Sequence, residues 1–497
     1  MLPMDMETGF DAFEIDDFGP SVRVQVPSTN EGLSQFNQAF LDPQERAYVQ
    51  HIDFHVVLPA ISNKRLKKLQ SSKEAAENDT HFTKAVTKFL GRLAKWERRW
   101  YGPGITLKMV VASPTDWLVE EMEEDGELVN THNHRVAPIW QVRDHFRYIR
   151  FDEIVLPPSG TGSSGLPQVA CVSDFEFEGG PSGRNLHPEV ISAISSALTS
   201  ARRMEWRLRL PTRRLMSARR EIRSALGNAL LNTAFPSLVE FKIKLEDADP
   251  HDETFEPGNL SVNGEAEDRL SLGVRRLYQL PTLRRLHLES LWILSPVAFG
   301  SQQNPQDVSS SSLEYFYVDC AVTTPDGRYL LTGNPEKAMM DDGGYATTSD
   351  EALAAFDSDD SDASDFQPDF EWAKQAGEFP GRWFRLTPDP ATFTPLAVSL
   401  AEAAAKMPSL RRMDVHLGGT AANTRAPLEM SYFAPGEANR GASQLNGRKR
   451  FDEEHVDRPR WFFLGGRKFD KHWVVPKELE DAFKGRSGTG CFHLATN

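Results

Sequence analysis

The sequence predicts an α/β fold: an irregular solenoid of helix–strand units, with a parallel sheet and large loop insertions. Three observations carry this. A phrase made of an apolar residue, Pro, Ser or Thr, Leu, two variable residues and then alternating apolar positions recurs. It occurs as FPSLVEFKIKL (235–245), LPTLRRLHLESL (280–291) and MPSLRRMDVHL (407–417). A segment with apolar residues at helical spacing precedes each copy, and long polar stretches intervene.

Within each copy the later residues alternate with the period of a half-buried strand: Phe241, Ile243 and Leu245; Leu286 and Leu288; Met413, Val415 and Leu417. SSLEYFYVDC keeps the spacing without the Pro, through Leu313, Phe316 and Val318. One copy alone reads as an ordinary strand after a Pro turn. Four copies in order match the Leu-x-x-Leu-x-Leu signature of leucine-rich repeats, whose strands line a stacked parallel sheet. Leu238, Leu283, Leu313 and Leu410 lie 45, 30 and 97 residues apart, where regular repeats run about 20–29.

The elements follow in chain order. Residues 1–20 form an acidic N-terminus expected to be disordered. YVQHIDFHVVLP, ending at Pro59, is a strand, and HFTKAVTKFLGRLAKWERRW (81–100) places Phe82, Val86, Phe89, Leu93 and Trp96 on one helical face. ITLKMVVA follows as a strand, as do FRYIRFDEIVLP, ending at Pro157, and, after the helical HPEVISAISSALTSARRM, EWRLRLP. SARREIRSALGNALL (217–231) is the helix before FPSL, and DRLSLGVRRLYQL, with Asp268 as N-cap, the helix before PTL. TPLAVSLAEAAAKM starts a helix at Thr394–Pro395 and ends at MPSL, where Pro408 disfavours a helical residue before it.

The irregular repeats thus span 21–334, and 376–497 holds the last units and a cap. Between them 335–375, rich in Asp and Ser, is an acidic insertion expected to be disordered, because it has too few apolar residues to offset its ordering entropy. Polar loops are expected after Pro250 and after Ser431. RWFFLGGRKFDKHWVVP reads as a capping hairpin, with aromatic strands around Trp461 and Trp473 flanking Gly465–Gly466.

Composition sets limits. The 497 residues carry a formal net charge of −15, which argues against a general nucleic-acid binder. Three cysteines, Cys171, Cys320 and Cys491, form no Cys-x-x-Cys unit, so neither structural zinc nor a disulfide framework is expected. There is no signal-peptide order at the N-terminus and no apolar run long enough to span a membrane. The expectation is a cytoplasmic or nuclear protein with no membrane partner.

Motifs for chemistry do not survive inspection. GTGSSG (160–165) fits Gly-x-Gly-x-x-Gly, but Pro157 and Pro158 interrupt the approach and no helical pattern follows to meet a pyrophosphate. THNHR (131–135) has no partnering ligand cluster for a metal. No catalytic residue, cofactor or metal ligand is assigned. Nine Arg fall between Arg202 and Arg223. Arg202, Arg203, Arg207, Arg209, Arg213 and Arg214 are candidates for a basic face that meets an acidic partner or RNA. The alternative is a solvated outer surface whose Arg stems cover apolar residues, and the net acidity favours it. Ser358 and Ser361, each followed by Asp, are candidate phosphorylation sites, and each phosphate would add about −1.5 to −2 charges.

In the order RAYVQHIDFHVVLP, FTKAVTKFLGRLAKWE, FPSLVEFKIKL, LPTLRRLHLESLWILSP, PDGRYL, TPDPATFTPLAVSLAEAAAKMPSLRRMDVHL and RWFF…WVVP, the chain resembles fungal F-box proteins with degenerate leucine-rich-repeat bodies, from about Val22 to Phe483. The resemblance implies an adaptor, whose F-box docks on the Skp subunit of a cullin–RING ubiquitin ligase while the repeat body selects a client. The F-box itself is absent or truncated. Leu2–Pro3 is followed by an acidic stretch broken by Gly and Pro, and no docking residues carry over. The expected function is a non-enzymatic protein–protein interaction module. The alternatives are an enzyme with an unrecognised site and a scaffold acting through the Arg-rich stretch.

Overall fold

The computed structural model describes residues 13–16, 19–61, 70–98, 104–117, 148–152, 165–179, 183–211, 213, 215–247, 249–250, 252–261, 267–300, 310–340, 381–418, 428–438, 446–465, 472–485 and 488–496. The chain divides into two compact units, Met1–Arg209 with Asn228–Lys244, and Leu210–Gly227 with Leu245–Asn497. Both are α/β; strand pairing is mostly parallel in the first and mixed in the second.

In the first unit β1 (Phe13–Asp16) and β2 (Gly19–Pro27) pair antiparallel. α1 (Asn30–Ala39) and α2 (Pro43–Tyr48) lead to β3 (Val49–Val57), and α3 (Ser72–Leu93) leads to β4 (Ile105–Ala112). β5 (Val172–Glu178), α4 (Pro188–Ala197) and β6 (Arg203–Arg209) follow. From β2 to β6 every neighbouring pair is parallel, and strand order is chain order. The division falls within α5 (Met216–Asn232) and β7 (Glu240–Glu246).

The helix expected over 81–100 runs instead from Ser72 to Leu93, with its apolar stripe as expected and a capping box at its start. Glu74 N–H donates to Ser71 Oγ at 3.3 Å and Ser71 N–H to the Glu74 carboxylate at 2.7 Å, so two otherwise orphaned donors at the start of α3 are satisfied. Phe82, Val86, Phe89 and Leu93 are wholly buried. Phe89 stacks on Phe54 of β3 with centroids 3.9 Å apart, so the helical stripe and the alternate residues of the strand close on each other.

In the second unit α6 (Arg269–Leu277) precedes β8 (Arg285–Trp292), and β9 (Tyr315–Cys320) follows. Short strands β10 (Leu331–Thr332), β11 (Met339–Met340), β12 (Arg382–Trp383) and β13 (Thr387–Pro388) make two antiparallel pairs, β10 with β13 and β11 with β12. α7 (Phe393–Lys406), β14 (Arg412–Leu417), β15 (Leu428–Phe433), α8 (Asn446–Glu454), β16 (Arg460–Gly465), α9 (Lys477–Lys484) and β17 (Cys491–Thr496) complete it. The order is β8-β9-β14-β15-β16-β17. β8, β9 and β14 are parallel, β15 runs antiparallel to both its neighbours, and β17 lies parallel to β16.

Three of the phrase-bearing segments, 283–288, 313–318 and 410–417, are therefore neighbours in one parallel sheet, with Leu286 opposite Phe316 and Phe316 opposite Met413. Asp268 caps α6 as expected, accepting from Ser271 N–H at 2.9 Å.

Other expectations are corrected. Residues 13–16, read as disordered, pair antiparallel with residues 19–22 of β2. The stretch from Pro335 begins with a 3₁₀ turn, Pro335–Lys337, and β11, so structure extends to Met340. The polar loop expected after Ser431 contains the end of β15 and the helix α8, which polar composition concealed. The capping hairpin does not form as drawn. β16 pairs with β15 and β17, and Trp473 lies outside any strand, its ring instead stacked 5.0 Å from that of Phe463. Of FRYIRFDEIVLP, Ile149 makes a single bridge to Leu186 in place of a strand, and 153–157 lie outside the described residues. So do THNHR, most of GTGSSG, Ser358, Ser361 and Arg214.

Candidate protein-binding face

The sheet of the second unit buries one side. Leu286, Leu288, Phe316, Val318, Met413 and Val415 turn toward the helices, where Tyr278 at the end of α6 meets the Phe316 ring edge-on at 5.4 Å. Alternation then sends the intervening residues of the same strands to the other side. In register they form rows: Arg285, Tyr315 and Arg412; His287, Tyr317 and Asp414; then Asp319 and His416. Each row mixes aromatic and hydrogen-bonding groups.

The third row is linked to the second. The Tyr317 hydroxyl donates to Asp319 Oδ1 at 2.6 Å, and His416 Nδ1 lies 3.4 Å from that hydroxyl and 3.6 Å from the same carboxylate oxygen. The Tyr317 and His416 rings meet edge to face at 5.1 Å. Ser290 N–H donates to Asp319 Oδ2 at 3.1 Å from a position where β8 bulges between Leu288 and Trp292. Ser290 has φ 69°, the one positive φ of a non-glycine among the described residues. Burial pushes the Asp319 carboxyl above its ordinary value, although the Tyr317 hydroxyl, His416 and the Ser290 N–H favour its charged form. Burial, then the bond to Asp319, raises the Tyr317 phenol as well. Asp414, in the second row, accepts from Arg412 Nε at 2.6 Å and Ser431 Oγ at 2.9 Å.

The Arg-rich stretch is spread over different environments. Arg202 is exposed, while its backbone N–H donates to the Ser173 carbonyl at 2.6 Å. Arg203 pairs with Asp174, and Arg207 lies 2.8 Å from Glu205 and 3.8 Å from Glu178. Arg209 is half-buried, with its N–H on Asn185 Oδ1 at 3.0 Å. These four belong to the first unit, where carboxylates alternate with the β6 guanidinium groups. Arg213, half-buried in a turn, belongs to the second. Two further Arg of the stretch are interior: Arg219 with Asp247 (3.3 and 2.6 Å) and Arg223 with Asp268 (3.0 and 2.7 Å). An Arg-rich run gives no sign of which members turn inward. Their positions on α5 at helical spacing, facing the side of the core residues Ile222 and Leu226, are the signal available.

Cys171 and Cys320 are buried free thiols, and burial raises that of Cys320. Among the described residues no group of His, Cys, Asp and Glu has the geometry to hold a metal ion, and no helix is long and apolar enough to cross a membrane. No family model, curated protein or solved structure matches the chain.

Proposed function

We propose that the chain is a non-enzymatic protein-interaction module which holds a protein partner on the outward rows of β8, β9 and β14. The observation that supports this most is the composition of those rows: Arg285, Tyr315, Tyr317, Arg412 and His416, with each outward residue flanked across the sheet by another. Tyr and Arg dominate the energetics of protein interfaces because they offer large, stiff contact area and several donors. A leucine-rich-repeat-like solenoid and an origin among F-box proteins accord with the repeated phrase. In that reading the body selects a client in the cytosol or nucleus.

The test is affinity purification of the tagged chain beside Tyr317→Ala and Tyr315→Ala variants of matched thermal stability. A partner recovered with the unaltered chain and lost with the variants is the expected result. A partner retained equally by both overturns the site, and Skp and cullin subunits among the proteins recovered restore the ligase-docking role.

A second reading, an enzyme, draws on the Tyr317–Asp319–His416 group, where a raised carboxyl adjoins an imidazole and a phenol. It predicts chemical turnover abolished by His416→Ala with partner recovery unchanged.

A further inference from the structure

The two variable residues inside the phrase set the chemistry of one end of this face. They are Arg284–Arg285, Glu314–Tyr315 and Arg411–Arg412. The N–H groups of Glu314 and Tyr315 both donate to the Arg284 carbonyl, at 2.8 and 3.0 Å, and those of Arg411 and Arg412 to the Glu314 carbonyl, at 2.8 and 3.1 Å. The three pairs thus stand side by side. With strands about 4.8 Å apart, the two Arg pairs flank Glu314–Tyr315 at roughly 10 Å from each other. The guanidinium carbons of Arg285 and Arg411 lie 5.6 and 5.8 Å from the centre of the Tyr315 ring, so an anion above that ring is within reach of both.

Each ion pair here has its cation outermost. Arg284 is 56% exposed over Glu314 at 27%, Arg411 54% over Glu437 at 20%, and Arg412 43% over Asp414 at 14%. The cause is length: the Arg stem reaches past a shorter acid anchored nearer the backbone. One carboxylate engages only part of a guanidinium's five N–H donors, and exposed pairs of this kind are weak, so they yield to a better acceptor. Long polyanions meet the repulsion of a chain of net charge −15, whereas a short acidic segment is governed by charges within a Debye length of about 8 Å.

We propose that Arg284, Arg285, Arg411 and Arg412, with Tyr315 as platform, form a recognition site for an extended acidic segment of a partner protein, its Asp and Glu carboxylates bound by the outward guanidinium forks. The proposal rests on the interaction-module reading and names the chemistry of the partner. An extended chain repeats same-side residues every ~6.6 Å, so carboxylates two to four residues apart span the two Arg pairs.

The test uses the full chain and a fluorescent twelve-residue peptide of alternating Glu and Ser, read by anisotropy beside the same peptide with Gln for Glu. The Glu peptide is expected to bind, the Gln peptide not. Arg285→Ala with Arg411→Ala is expected to weaken binding at least tenfold. Arg285→Lys with Arg411→Lys is expected to weaken it less, since charge remains but the planar fork is lost. The Lys pair also serves where the Ala pair fails to fold. Arg203→Ala with Arg207→Ala is expected to have no effect. Equal binding of the Gln peptide, no binding of the Glu peptide, or equal loss in the Arg203/Arg207 variant overturns the proposal. A twelve-nucleotide RNA that binds more tightly through the same Arg does so too. The partner purification separates the two levels: a partner lost in Tyr317→Ala but kept in the Arg285/Arg411 variant defeats the acidic-segment site and leaves the module standing, while a partner kept in both defeats the face itself.

Discussion

Arg223 grips Asp268 with two N–H groups, at 3.0 and 2.7 Å, and the same guanidinium donates to the Ile293 carbonyl at 2.6 Å. Both side chains are buried, and Asp268 at once caps α6 through Ser271. Burial by itself would raise the Asp268 carboxyl. The Arg223 charge and the bonds from Arg223 and Ser271 together outweigh it, and hold the group below its ordinary value of 3.8. A carboxyl depressed by folding binds its proton more readily in the unfolded chain. Its stabilisation is therefore full above that ordinary value and is lost as pH falls through the folded one. Asp268→Asn is expected to cost about 3–5 kcal/mol, because it strands a buried cation. Urea denaturation at pH 7 is the measurement, and a loss under 1 kcal/mol contradicts it.

Leu286 is wholly buried opposite Phe316. Leu286→Ala is expected to cost about 2–5 kcal/mol through the cavity it leaves. Leu286→Asp is expected to unfold the second unit, since a buried unpaired carboxylate is costlier still. Circular dichroism melts of the three proteins decide it, and a folded Asp variant with an unshifted melt refutes the buried placement.

His187 precedes α4, and its Nδ1 accepts the Glu189 N–H at 3.4 Å as an N-cap. Burial, aided by Arg150, lowers its pKa from 6.5 to about 3, so the nearby Glu189 carboxylate at 3.6 Å is no ion-pair partner at neutral pH. The folded state resists a proton that the unfolded state accepts. The contribution is full above pH 6.5 and is lost as pH falls toward 3, by at most about 1.4 kcal/mol per pH unit. His187→Asn, which keeps a capping oxygen, is expected to be less stable at pH 7 and to close that gap by pH 5. Parallel denaturation curves at both pH values, showing an unchanged gap, exclude it.

Ser290 holds its positive φ while its N–H serves Asp319. Glycine adopts this conformation without the Cβ clash, so Ser290→Gly is expected to leave stability unchanged or raise it by up to about 1 kcal/mol. The β-branched Ser290→Val should cost about 1–2 kcal/mol. Chemical denaturation of both variants checks the ordering, and Val outperforming Gly would remove the case for strain.

The parallel core was legible because strand alternation and the Pro-marked helix end are local features: Leu286, Phe316 and Met413 could be placed from their own neighbours. The linked group could not. Tyr317 and His416 are 99 residues apart in sequence and meet only through register. Asp319 sits near the end of β9 opposite His416, beside a bulge that no turn signal in ESLW announces. The last strands were obscured for another reason. Trp461, Phe462 and Phe463 are apolar in succession and all buried, so no alternation marked a face. Arg219 and Arg223 were read with their surface neighbours because charge pattern alone does not record an opposing Asp.

β9 joins β14 in parallel register, Tyr315 beside Arg412, although the chain between them runs from residue 321 to residue 411. The link from β8 to β9, residues 293–314, is about a quarter as long. At equilibrium the difference matters little, since two doublings of a closed loop add only about 1.2 kcal/mol of entropy. In time it matters more. Contacts distant in sequence form slowly, so β8 and β9 should associate early while the edge of β9 waits for α7 and β14. Until then the Arg284–Arg285 and Glu314–Tyr315 pairs stand without Arg411–Arg412, and the three pairs come together only when this long-range contact forms.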